Sequence, residues 1–475
     1  MIEVASYKDR AVMVLGLGRS GLATAIALRK GGAAVLVWDD NAEARALALQ
    51  EGFPVTDPDA INWENVDAVI PGPGIPLTHP KPHPVIDKAR AARCNILGDI
   101  ELLARTQPDA RYVGVTGTNG KSTTTALIGH LLQATGYRVA CGGNLGTPAL
   151  ALPPLGPEGI YVLELSSFQI DLCLTPFLEI AVLLNITPDH LERHGGFEGY
   201  VAVKRRIFDL LCDNGTAIVG IDDPHSRKIR DAITGKVAHL VPISACSDPG
   251  DPGDLDNGVS TQNGALTERL GDDVPPVDLR CTAALSGIHN WQNAAAAWAT
   301  IRTLGVAHAP AATALESFIG LPHRQEPVAM VNGVQYINDS KATNATATAN
   351  ALAAHDSIYW IAGGRPKADG IDALASCFSH IRHAFLIGEA MNSFANTLDN
   401  AVPFTRSGDL ATALRDAHNM AQAASETGAI VLLSPAAAAY DQWENFEERG
   451  DAFRAGVLEL PNAKAILPTG GGPVS

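Results

Sequence analysis

The sequence predicts an α/β protein of three domains, each built on a parallel sheet with helices on both faces. Short apolar runs alternate with helical stretches along most of the chain, and each run ends in a turn of polar residues, glycine or proline. At 475 residues the chain also exceeds one ordinary domain, and the usual domain size suggests about three. We expect these domains at residues 1–98, 99–321 and 322–475.

The N-terminal domain has the pattern of a Rossmann-like fold. Its predicted strands occupy residues 11–15, 34–38 and 67–70. Gly16, Gly18 and Gly21 follow the first strand, and Asp39 follows the second. This spacing is typical of loops that bind a diphosphate. It suits NAD, FAD or a UDP-sugar, and it also suits a tight turn without a ligand.

The central domain contains a glycine-rich turn between a strand and a helix. We call it the phosphate loop, and its residues are Gly117, Thr118, Asn119, Gly120, Lys121 and Ser122. The backbone N–H groups of such a turn bind an anion at the positive end of the helix. Lys121 would reach the outer phosphates of a nucleoside triphosphate, and the Ser122 hydroxyl would face Mg²⁺. The strict P-loop pattern needs glycine where this chain has Val115, so the loop is a tighter variant.

Candidate metal ligands follow two further strands of this domain, predicted at 161–165 and 180–186. Glu164 lies near the end of the first strand, and His190 follows the second. Both belong at the carboxyl edge of a parallel sheet, beside the phosphate loop. A Mg²⁺ ion that bridges phosphates takes one or two carboxylates. Glu164 suits that need, although acids at strand ends also cap helices.

Three polar residues further along the central domain have two interpretations each. Lys204 lies beside two arginines on an amphipathic helix and could belong to a solvated basic face. If it is buried, its pKa falls, and the neutral amine could capture CO₂ as a carbamate that binds Mg²⁺. Asn290 and Asn293 share one helix face. They could bind a ligand such as adenine or cap the helix.

The C-terminal domain is again predicted to be Rossmann-like, with strands at 358–361, 384–387 and 430–433. Polar turns at 338–344 and 363–367 lie where ligands approach such sheets. Residues 246–280 differ from the rest of the chain, since they are rich in aspartate, glycine and proline. We predict a mobile surface excursion or a poorly packed hairpin there.

Composition excludes several classes of function. A net charge of −16 without a basic cluster argues against nucleic acid or an anionic membrane as a partner. Seven dispersed cysteines without a C-x-x-C pair indicate reduced thiols in the cytoplasm. The chain starts without the pattern of a signal peptide, and no apolar run has the length of a membrane span. We expect a cytoplasmic monomer without membrane insertion.

Taken together, the motifs resemble those of the Mur ligases, ATP-dependent amide-forming enzymes of peptidoglycan precursor synthesis. The matching segments occur in family order at 117–122, 142–146, 164–169, 189–190, 289–290 and 321–324. Residues 338–344 look like the version found in the member that adds glutamate. The resemblance implies that ATP phosphorylates the alanyl carboxylate of UDP-N-acetylmuramoyl-L-alanine. The amine of D-glutamate would then attack the acyl phosphate, with two Mg²⁺ ions offsetting the charge.

The resemblance also implies roles for individual residues. The implied catalytic residues are Lys121, His190 and Lys204. The implied ATP contacts are the phosphate loop with Asn290, Asn293, Arg324, Asp339 and Lys341. The implied metal ligands are Ser122, Glu164, His190 and carbamylated Lys204. The implied contacts to the UDP substrate are Gly18, Arg19, Ser20, Gly21, Asp39, Asp40, Gly74 and Asn144. The implied contacts to the amino acid are Thr343, Lys367, Ala439, Tyr440 and Phe446.

Two positions depart from the family pattern. Arg19 replaces a residue that is often apolar, which affects the expected uridine contacts. Ala439 replaces a serine that contacts the glutamate side chain, and loss of such a charge-assisted hydrogen bond costs about 1.5–3 kcal/mol. The same scaffold could therefore use L-glutamate or another amino acid. Two other classes stay open: an NAD(P)-dependent oxidoreductase, which rests on the first glycine loop alone, and a non-catalytic protein that binds a nucleoside triphosphate.

Overall fold

A computed structural model of the chain contains three β-sheets with helices packed against them. It describes residues 1–144, 146–245, 255, 257–271, 273–285, 287–366, 370–424 and 428–466. The contacts divide the chain into two compact units. Unit 1 includes Met1–Cys281 and Ile288–Phe318, and unit 2 includes Thr282–Gly287 and the described residues from Ile319 onward. The predicted α/β class is confirmed; each sheet falls within one predicted domain, and the domain boundaries stay a prediction.

The first sheet of unit 1 is parallel, with strand order β2-β1-β3-β4. Its strands are β1 (Ala11–Leu15), β2 (Ala34–Trp38), β3 (Ala68–Pro71) and β4 (Asn95–Ile96). Its helices are α1 (Arg19–Lys30), α2 (Ala42–Gln50) and α3 (Pro84–Ala91). The predicted bounds of β1 and β2 are confirmed. A side chain at Gly21 would place its Cβ 1.8 Å from the carbonyl oxygen of Gly16, so the turn into α1 requires glycine there.

The second sheet of unit 1 has the order β13-β12-β11-β10-β9-β8-β5-β7-β6. Its strands are β5 (Arg111–Thr116), β6 (Arg138–Gly143), β7 (Gly159–Glu164), β8 (Leu178–Leu183), β9 (Leu211–Gly220), β10 (His239–Ser244), β11 (Gly258–Gln262), β12 (Ala265–Arg269) and β13 (Val277–Asp278). Its helices are α4 (Asp99–Thr106), α5 (Lys121–Ala134), α6 (Ser167–Asp171), α7 (Leu191–His194), α8 (Phe197–Arg205), α9 (Pro224–Ile233), α10 (Ile288–Thr303) and α11 (His308–Glu316). The pairs from β6 to β11 are parallel, and all residues of β7 are buried, as expected for a strand covered on both faces.

The strand predicted at 180–186 ends earlier than expected, since β8 stops at Leu183. The reason lies in Asn185, whose side-chain oxygen accepts a hydrogen bond from the backbone N–H of Asn119 at 2.9 Å. The chain therefore leaves the sheet to support the phosphate loop. The apolar pattern of 180–186 does not show that the strand ends before Asn185.

In the described part of 246–280 the structure contains the hairpin that was one of the two expectations, but the hairpin is well packed rather than poorly packed. β11 and β12 form an antiparallel hairpin that extends the sheet, and Val259 and Leu266 are buried. The carboxylate of Glu268 accepts hydrogen bonds from Trp298 and Arg302 of α10. The hairpin is thus packed against α10. Residues 246–254, 256 and 272 lie outside the described residues.

Unit 2 contains a seven-stranded sheet of order β18-β17-β16-β19-β15-β14-β20. Its strands are β14 (Glu326–Val331), β15 (Val334–Asn338), β16 (Ile358–Gly363), β17 (Ile381–Ile387), β18 (Phe404–Gly408), β19 (Ile430–Leu433) and β20 (Ala463–Ala465). Its helices are α12 (Ala345–Ala353), α13 (Met391–Leu398), α14 (Leu410–Ala424) and α15 (Phe446–Leu458). The strands from β18 to β15 are parallel, and β14 and β20 pair antiparallel.

The buried apolar residues form separate cores in the two units. In unit 1, one continuous cluster runs from Ile2 to Ile233 and joins both sheets, with a smaller cluster around Met13. In unit 2, two clusters around Trp360 and Phe385 include only residues of that unit. Among the described residues, no helix combines the length and the apolar character needed to cross a bilayer.

Candidate functional site

The phosphate loop of unit 1 connects β5 to α5. Gly117 and Gly120 have φ values of +154° and +85°, in the region that favours glycine. Lys121 begins α5, and its Nζ donates to the carbonyl oxygens of Gly117 and Thr118 at 3.0 and 2.8 Å. Ser122 follows and is buried. The predicted strand–loop–helix arrangement is therefore present, with the positive end of α5 at the loop.

Asn290 and Asn293 of α10 lie at this loop, as the sequence suggested. Asn293 donates to the side-chain oxygen of Asn290 at 3.2 Å and accepts from the Thr124 hydroxyl of α5 at 3.2 Å. A Cβ at Gly120 would lie 2.2 Å from the Asn293 side-chain oxygen. The loop and α10 are thus in direct contact, although about 170 residues separate them.

A chain of amide groups behind the loop was missed by sequence reasoning. Asn185 accepts from the backbone N–H of Asn119 and donates to Gln292 at 2.9 Å. Gln292 in turn donates to Asp222 at 2.8 Å. Its position between Asn290 and Asn293 was the only sequence signal that could have identified Gln292.

Glu164 lies at the end of β7, at the carboxyl edge where it was predicted. Its side chain is buried, and Oε1 accepts from Asn144 Nδ2 at 2.6 Å. Oε2 is buried and has no hydrogen-bond partner. A buried carboxylate oxygen left without a donor suits a cation, so this residue fits the chemistry of a Mg²⁺ ligand.

Lys204, near the end of α8, is 1% exposed, which excludes the solvated basic face. Its Nζ donates to the Gly117 carbonyl oxygen at 2.9 Å and to the Thr116 hydroxyl at 3.2 Å. Burial lowers its pKa well below the ordinary value, and the Lys121 charge lowers it further. The carboxylates of Asp189 and Glu164 act in the opposite direction. Lys204 therefore lies beneath the phosphate loop with an unusually accessible neutral form.

His190 precedes α7 in a left-handed conformation, with φ of +50°. Its ring is half exposed, lies 5.1 Å from the Phe168 ring and has Nε2 3.5 Å from Asp189. In the described part of the chain, no group of three or more histidine, cysteine, aspartate or glutamate residues is arranged to hold a metal ion. A Mg²⁺ ion at Glu164 and His190 would take its further ligands from phosphates and water.

The first sheet places the predicted UDP contacts around the turn from β1 to α1. Gly18 caps α1, and Arg19, Ser20 and Gly21 form its first turn. The Asp39 carboxylate accepts from the backbone N–H groups of Leu17 and Asn41. Asp39 therefore fixes the loop itself.

The other predicted UDP contacts lie on neighbouring segments. Asp40 pairs with His83 at 3.1 Å, and this hydrogen bond lowers the pKa of Asp40. The Gly74 carbonyl oxygen accepts from Arg193 at 2.8 Å. Arg19 donates to the Gly146 carbonyl oxygen at 2.7 Å, so this departure from the family pattern bonds to the segment next to Asn144.

Unit 2 contains three of the predicted ATP contacts, Arg324, Asp339 and Lys341, of which Arg324 and Asp339 lie close together at the carboxyl end of β15. Asp339 accepts from the Ser434 hydroxyl at 2.8 Å and from the backbone N–H of Gln325 at 3.1 Å. Burial raises the pKa of Asp339 to about 7, and the charge of the neighbouring Arg324 acts against this rise. Arg324 Nε is buried without a hydrogen-bond partner.

Thr343, Ala439 and Tyr440, three of the predicted amino-acid contacts, lie on loops of unit 2, and Phe446 begins α15. Lys341 lies over the Phe446 ring at 5.4 Å, and Thr343 follows in the same loop. Ala439 is buried, whereas Tyr440 is exposed. Lys367 lies outside the described residues. A fully buried arginine below these loops, Arg449, was missed because only its packing distinguishes it from a surface arginine.

The sheets and loop define the class: an α/β protein organised around a glycine-rich anion-binding turn. Residues 115–301 match the Mur ligase middle domain, and residues 323–437 match the Mur ligase glutamate ligase domain. The UDP-N-acetylmuramoylalanine–D-glutamate ligase of Paramagnetospirillum magneticum is 49% identical, covering 96% of this chain and 97% of that protein. The ligase of the same name from Phenylobacterium zucineum is 46% identical, covering 98% and 99%. The chain belongs to the Mur ligase family.

Solved structures agree on the fold. The MurF ligase of Thermotoga maritima in complex with ADP superposes with a TM-score of 0.58 at 18% identity, covering 96% of this chain and 97% of that one. UDP-N-acetylmuramate-alanine ligase from the same organism gives 0.56 at 17% identity, covering 94% and 98%. At such identities the likeness concerns the fold alone.

Proposed function

We propose that this protein is an ATP-dependent ligase that joins D-glutamate to UDP-N-acetylmuramoyl-L-alanine, with release of ADP and phosphate. The observation that carries the proposal is the carboxyl edge of the central sheet. There the phosphate loop, the unpartnered Oε2 of Glu164 and the buried Lys204 occur together. This set serves phosphoryl transfer, and the near full-length relatives carry the name of this ligase.

The phosphates of ATP would bind at the phosphate loop. Lys121 would exchange its bonds to the Gly117 and Thr118 carbonyl oxygens for phosphate oxygens, because a cation binds an anion more strongly than a carbonyl dipole. Asn290 and Asn293 flank the loop. Arg324, Asp339 and Lys341 of unit 2 are the remaining proposed ATP contacts.

Ser122, Glu164 and His190 would hold Mg²⁺ together with phosphates and water. The ion supplies charge neutralisation for the phosphoryl group and for the developing oxyanion. Lys204 joins this set if its neutral amine takes up CO₂, since the carbamate is an anion. Its lowered pKa supports that uptake, because only the unprotonated amine reacts with CO₂.

The chain's own groups would bind and orient the substrates. The β1–α1 turn, Asp39, Asp40 and Gly74 would bind the UDP end, and Asn144 lies beside Glu164 for the reacting end. Once the alanyl carboxylate is phosphorylated, the glutamate nitrogen attacks its carbonyl carbon, phosphate leaves, and the nitrogen loses a proton to form the amide. Thr343, Lys367, Ala439, Tyr440 and Phe446 are the proposed amino-acid contacts.

A second amino-acid preference has one specific observation in its favour. Ala439 is buried and provides no hydroxyl, whereas the hydroxyls of Ser340 and Ser434 are engaged with Phe446 and Asp339. The loss of this contact affects either enantiomer of glutamate, so L-glutamate or another amino acid is the alternative substrate. An NAD(P)-dependent oxidoreductase has no such support, because the family match extends far beyond the first glycine loop.

The test is phosphate release from ATP and Mg²⁺ in the presence of UDP-N-acetylmuramoyl-L-alanine. We expect release that depends on D-glutamate, with little release for L-glutamate or without an amino acid. A preference for L-glutamate would establish the alternative. Absence of release with either amino acid, in folded protein that binds ATP, would contradict the proposal. A monomeric state and a cytoplasmic location stay predictions.

A further inference from the structure

Arg449 in the first turn of α15 is completely buried, with 0% of its surface exposed. Its Nε donates to the Ser340 hydroxyl at 3.0 Å, and one terminal nitrogen donates to the Ser340 carbonyl oxygen at 2.9 Å. The other terminal nitrogen donates to the carbonyl oxygens of Ala437 and Gly363 at 3.1 and 3.3 Å. All of these acceptors are neutral.

The acceptors lie at the carboxyl ends of three adjacent strands. Ser340 follows β15, Ala437 follows β19 and Gly363 ends β16, and these strands are consecutive in the order β16-β19-β15. We call the segments 339–344, 363–366 and 434–440 the strand-end loops. The planar fork of one guanidinium thus connects all three strand-end loops. Its position is fixed by α15, which begins at Phe446.

The strand-end loops also bond to each other above Arg449. The N–H of Ala436 donates to the carbonyl oxygen of Ala342 at 3.0 Å, and the N–H of Arg365 donates to that of Ala438 at 2.8 Å. The guanidinium and these backbone bonds together determine the spacing of the loops. Open α/β sheets bind ligands at such strand ends.

The charge of Arg449 is offset only in part, by the nearby carboxylate of Asp441. Among the residues that the structure describes, no carboxylate forms an ion pair with it. Burial lowers the pKa of Arg449 to about 10, and the Asp441 carboxylate acts against this fall. The side chain therefore remains a cation at neutral pH. A buried cation that does not bond directly to a carboxylate is costly, and an anion bound nearby reduces that cost.

We propose that Arg449 is a positioning residue for the amino-acid substrate, whose guanidinium holds the strand-end loops together and whose charge favours a dicarboxylate over a neutral amino acid. The inference rests on the proposed function for the identity of that substrate. Thr343, Ala439 and Tyr440 are carried on the strand-end loops, and Phe446 is on α15. Arg449 touches the framework of this site rather than the substrate itself.

The kinetic test compares Arg449→Met, Arg449→Lys and the control Arg454→Met. Arg454 lies on the same helix but pairs with Glu326 of β14 and with Asp451, away from the strand-end loops. We expect Arg449→Met to raise the KM for D-glutamate about tenfold, with KM values for ATP and the UDP substrate nearly unchanged. Arg449→Lys keeps the charge but loses the fork, so its rise is smaller. Arg454→Met should leave the glutamate KM unaltered.

The effect of the Arg449 charge is measured separately, by the preference for D-glutamate over D-glutamine. D-glutamine has the same shape without the second negative charge. This preference should narrow in Arg449→Met and persist in Arg449→Lys. An equal loss of this preference in Arg449→Met and Arg449→Lys would overturn the proposed role of the charge. Equal changes in all three KM values, or no change in the glutamate KM, would overturn the proposal.

A measurement without substrates separates this inference from the proposed function. Hydrogen exchange of the free protein should speed up in all three strand-end loops together in Arg449→Lys, relative to Arg454→Met. Faster exchange confined to α15 would overturn the positioning role. If the Arg449 variants do not fold, Ser340→Ala retains the guanidinium and removes one acceptor, so a selective rise in the glutamate KM is expected and its absence would count against us.

Discussion

The Nζ of Lys204 has two uncharged oxygens, from Gly117 and Thr116, as hydrogen-bond acceptors. If its carbamate takes part in the reaction, Lys204→Ala should lower the turnover number roughly 10²-fold or more. Added acetate should restore part of the activity by supplying a carboxylate in the vacated space. Arg205→Ala is the matched control, because this neighbour is exposed and should be replaceable without loss. Full activity of Lys204→Ala would rule out the carbamate.

Asp339 leads to a prediction about pH. Its pKa is raised to about 7 by burial, from an ordinary value of 3.8. Between these values the folded protein binds a proton that the unfolded chain has lost, so stability falls as the pH rises through this window. Such a difference in pKa corresponds to about 4 kcal/mol. Urea unfolding of the wild type and of Asp339→Asn gives the free energy of unfolding of each protein at several pH values. The difference between these two free energies should change by up to that amount from pH 4 to 8. A difference in unfolding free energy that does not change with pH would contradict the raised pKa of Asp339.

Among individual residues, the sequence could predict those that belong to a local motif. Lys121, Ser122 and Glu164 were predictable because a glycine-rich turn and the ends of parallel strands define the same edge. Asn185 and Gln292 were not, since amide side chains are common on surfaces and only the fold reveals their partners. Arg449 was missed because only its burial distinguishes it from a surface arginine.

The secondary structure elements were predictable where their hydrophobic pattern is continuous. The bounds of β1, β2 and β19 agree with the predicted ones because apolar residues start and stop with the strand. The packing of the β11–β12 hairpin was misjudged, since its buried residues alternate with polar ones and the surrounding segment is rich in turn-forming residues. Composition averaged over such a segment conceals a short strand pair.

The packing of this hairpin can be tested through Glu268. Glu268→Ala would remove the buried carboxylate that accepts from the Trp298 N–H and from the partly buried Arg302 guanidinium, so we expect a loss of about 3 kcal/mol in unfolding free energy. Asp278→Asn is the control, because its pair with Arg280 is exposed to solvent and should contribute nothing measurable. Thermal or urea unfolding measures both. Equal effects of the two substitutions would show that the hairpin is not held by this contact.

For the molecule as a whole, the sequence predicted three sheets in three domains but could not predict how their cores are shared. A helix–strand pattern identifies apolar faces without identifying the face against which each is packed. The core that starts at Ile2 continues into the central sheet, whereas the cores of unit 2 are self-contained. In this chain a predicted domain boundary therefore does not show that the domain folds on its own.

Fragments of the chain can test this difference. A fragment of residues 319–475 should fold alone and unfold cooperatively, because both of its core clusters are complete. A fragment of residues 1–98 should be far less stable, since it loses the part of its core that the central sheet supplies. Circular dichroism with thermal unfolding would decide. A cooperative transition of the 1–98 fragment at the temperature of the whole protein would contradict the shared core.

The contact between Gly120 and Asn293 limits how the proposed nucleotide site can evolve. A compound that competes with ATP at the phosphate loop is most simply evaded by a side chain that narrows the loop. At position 120 the new Cβ would lie 2.2 Å from the Asn293 oxygen, which would have to move, and the residue would have to adopt a positive φ. Single-step resistance to such an inhibitor is therefore expected to arise at other positions.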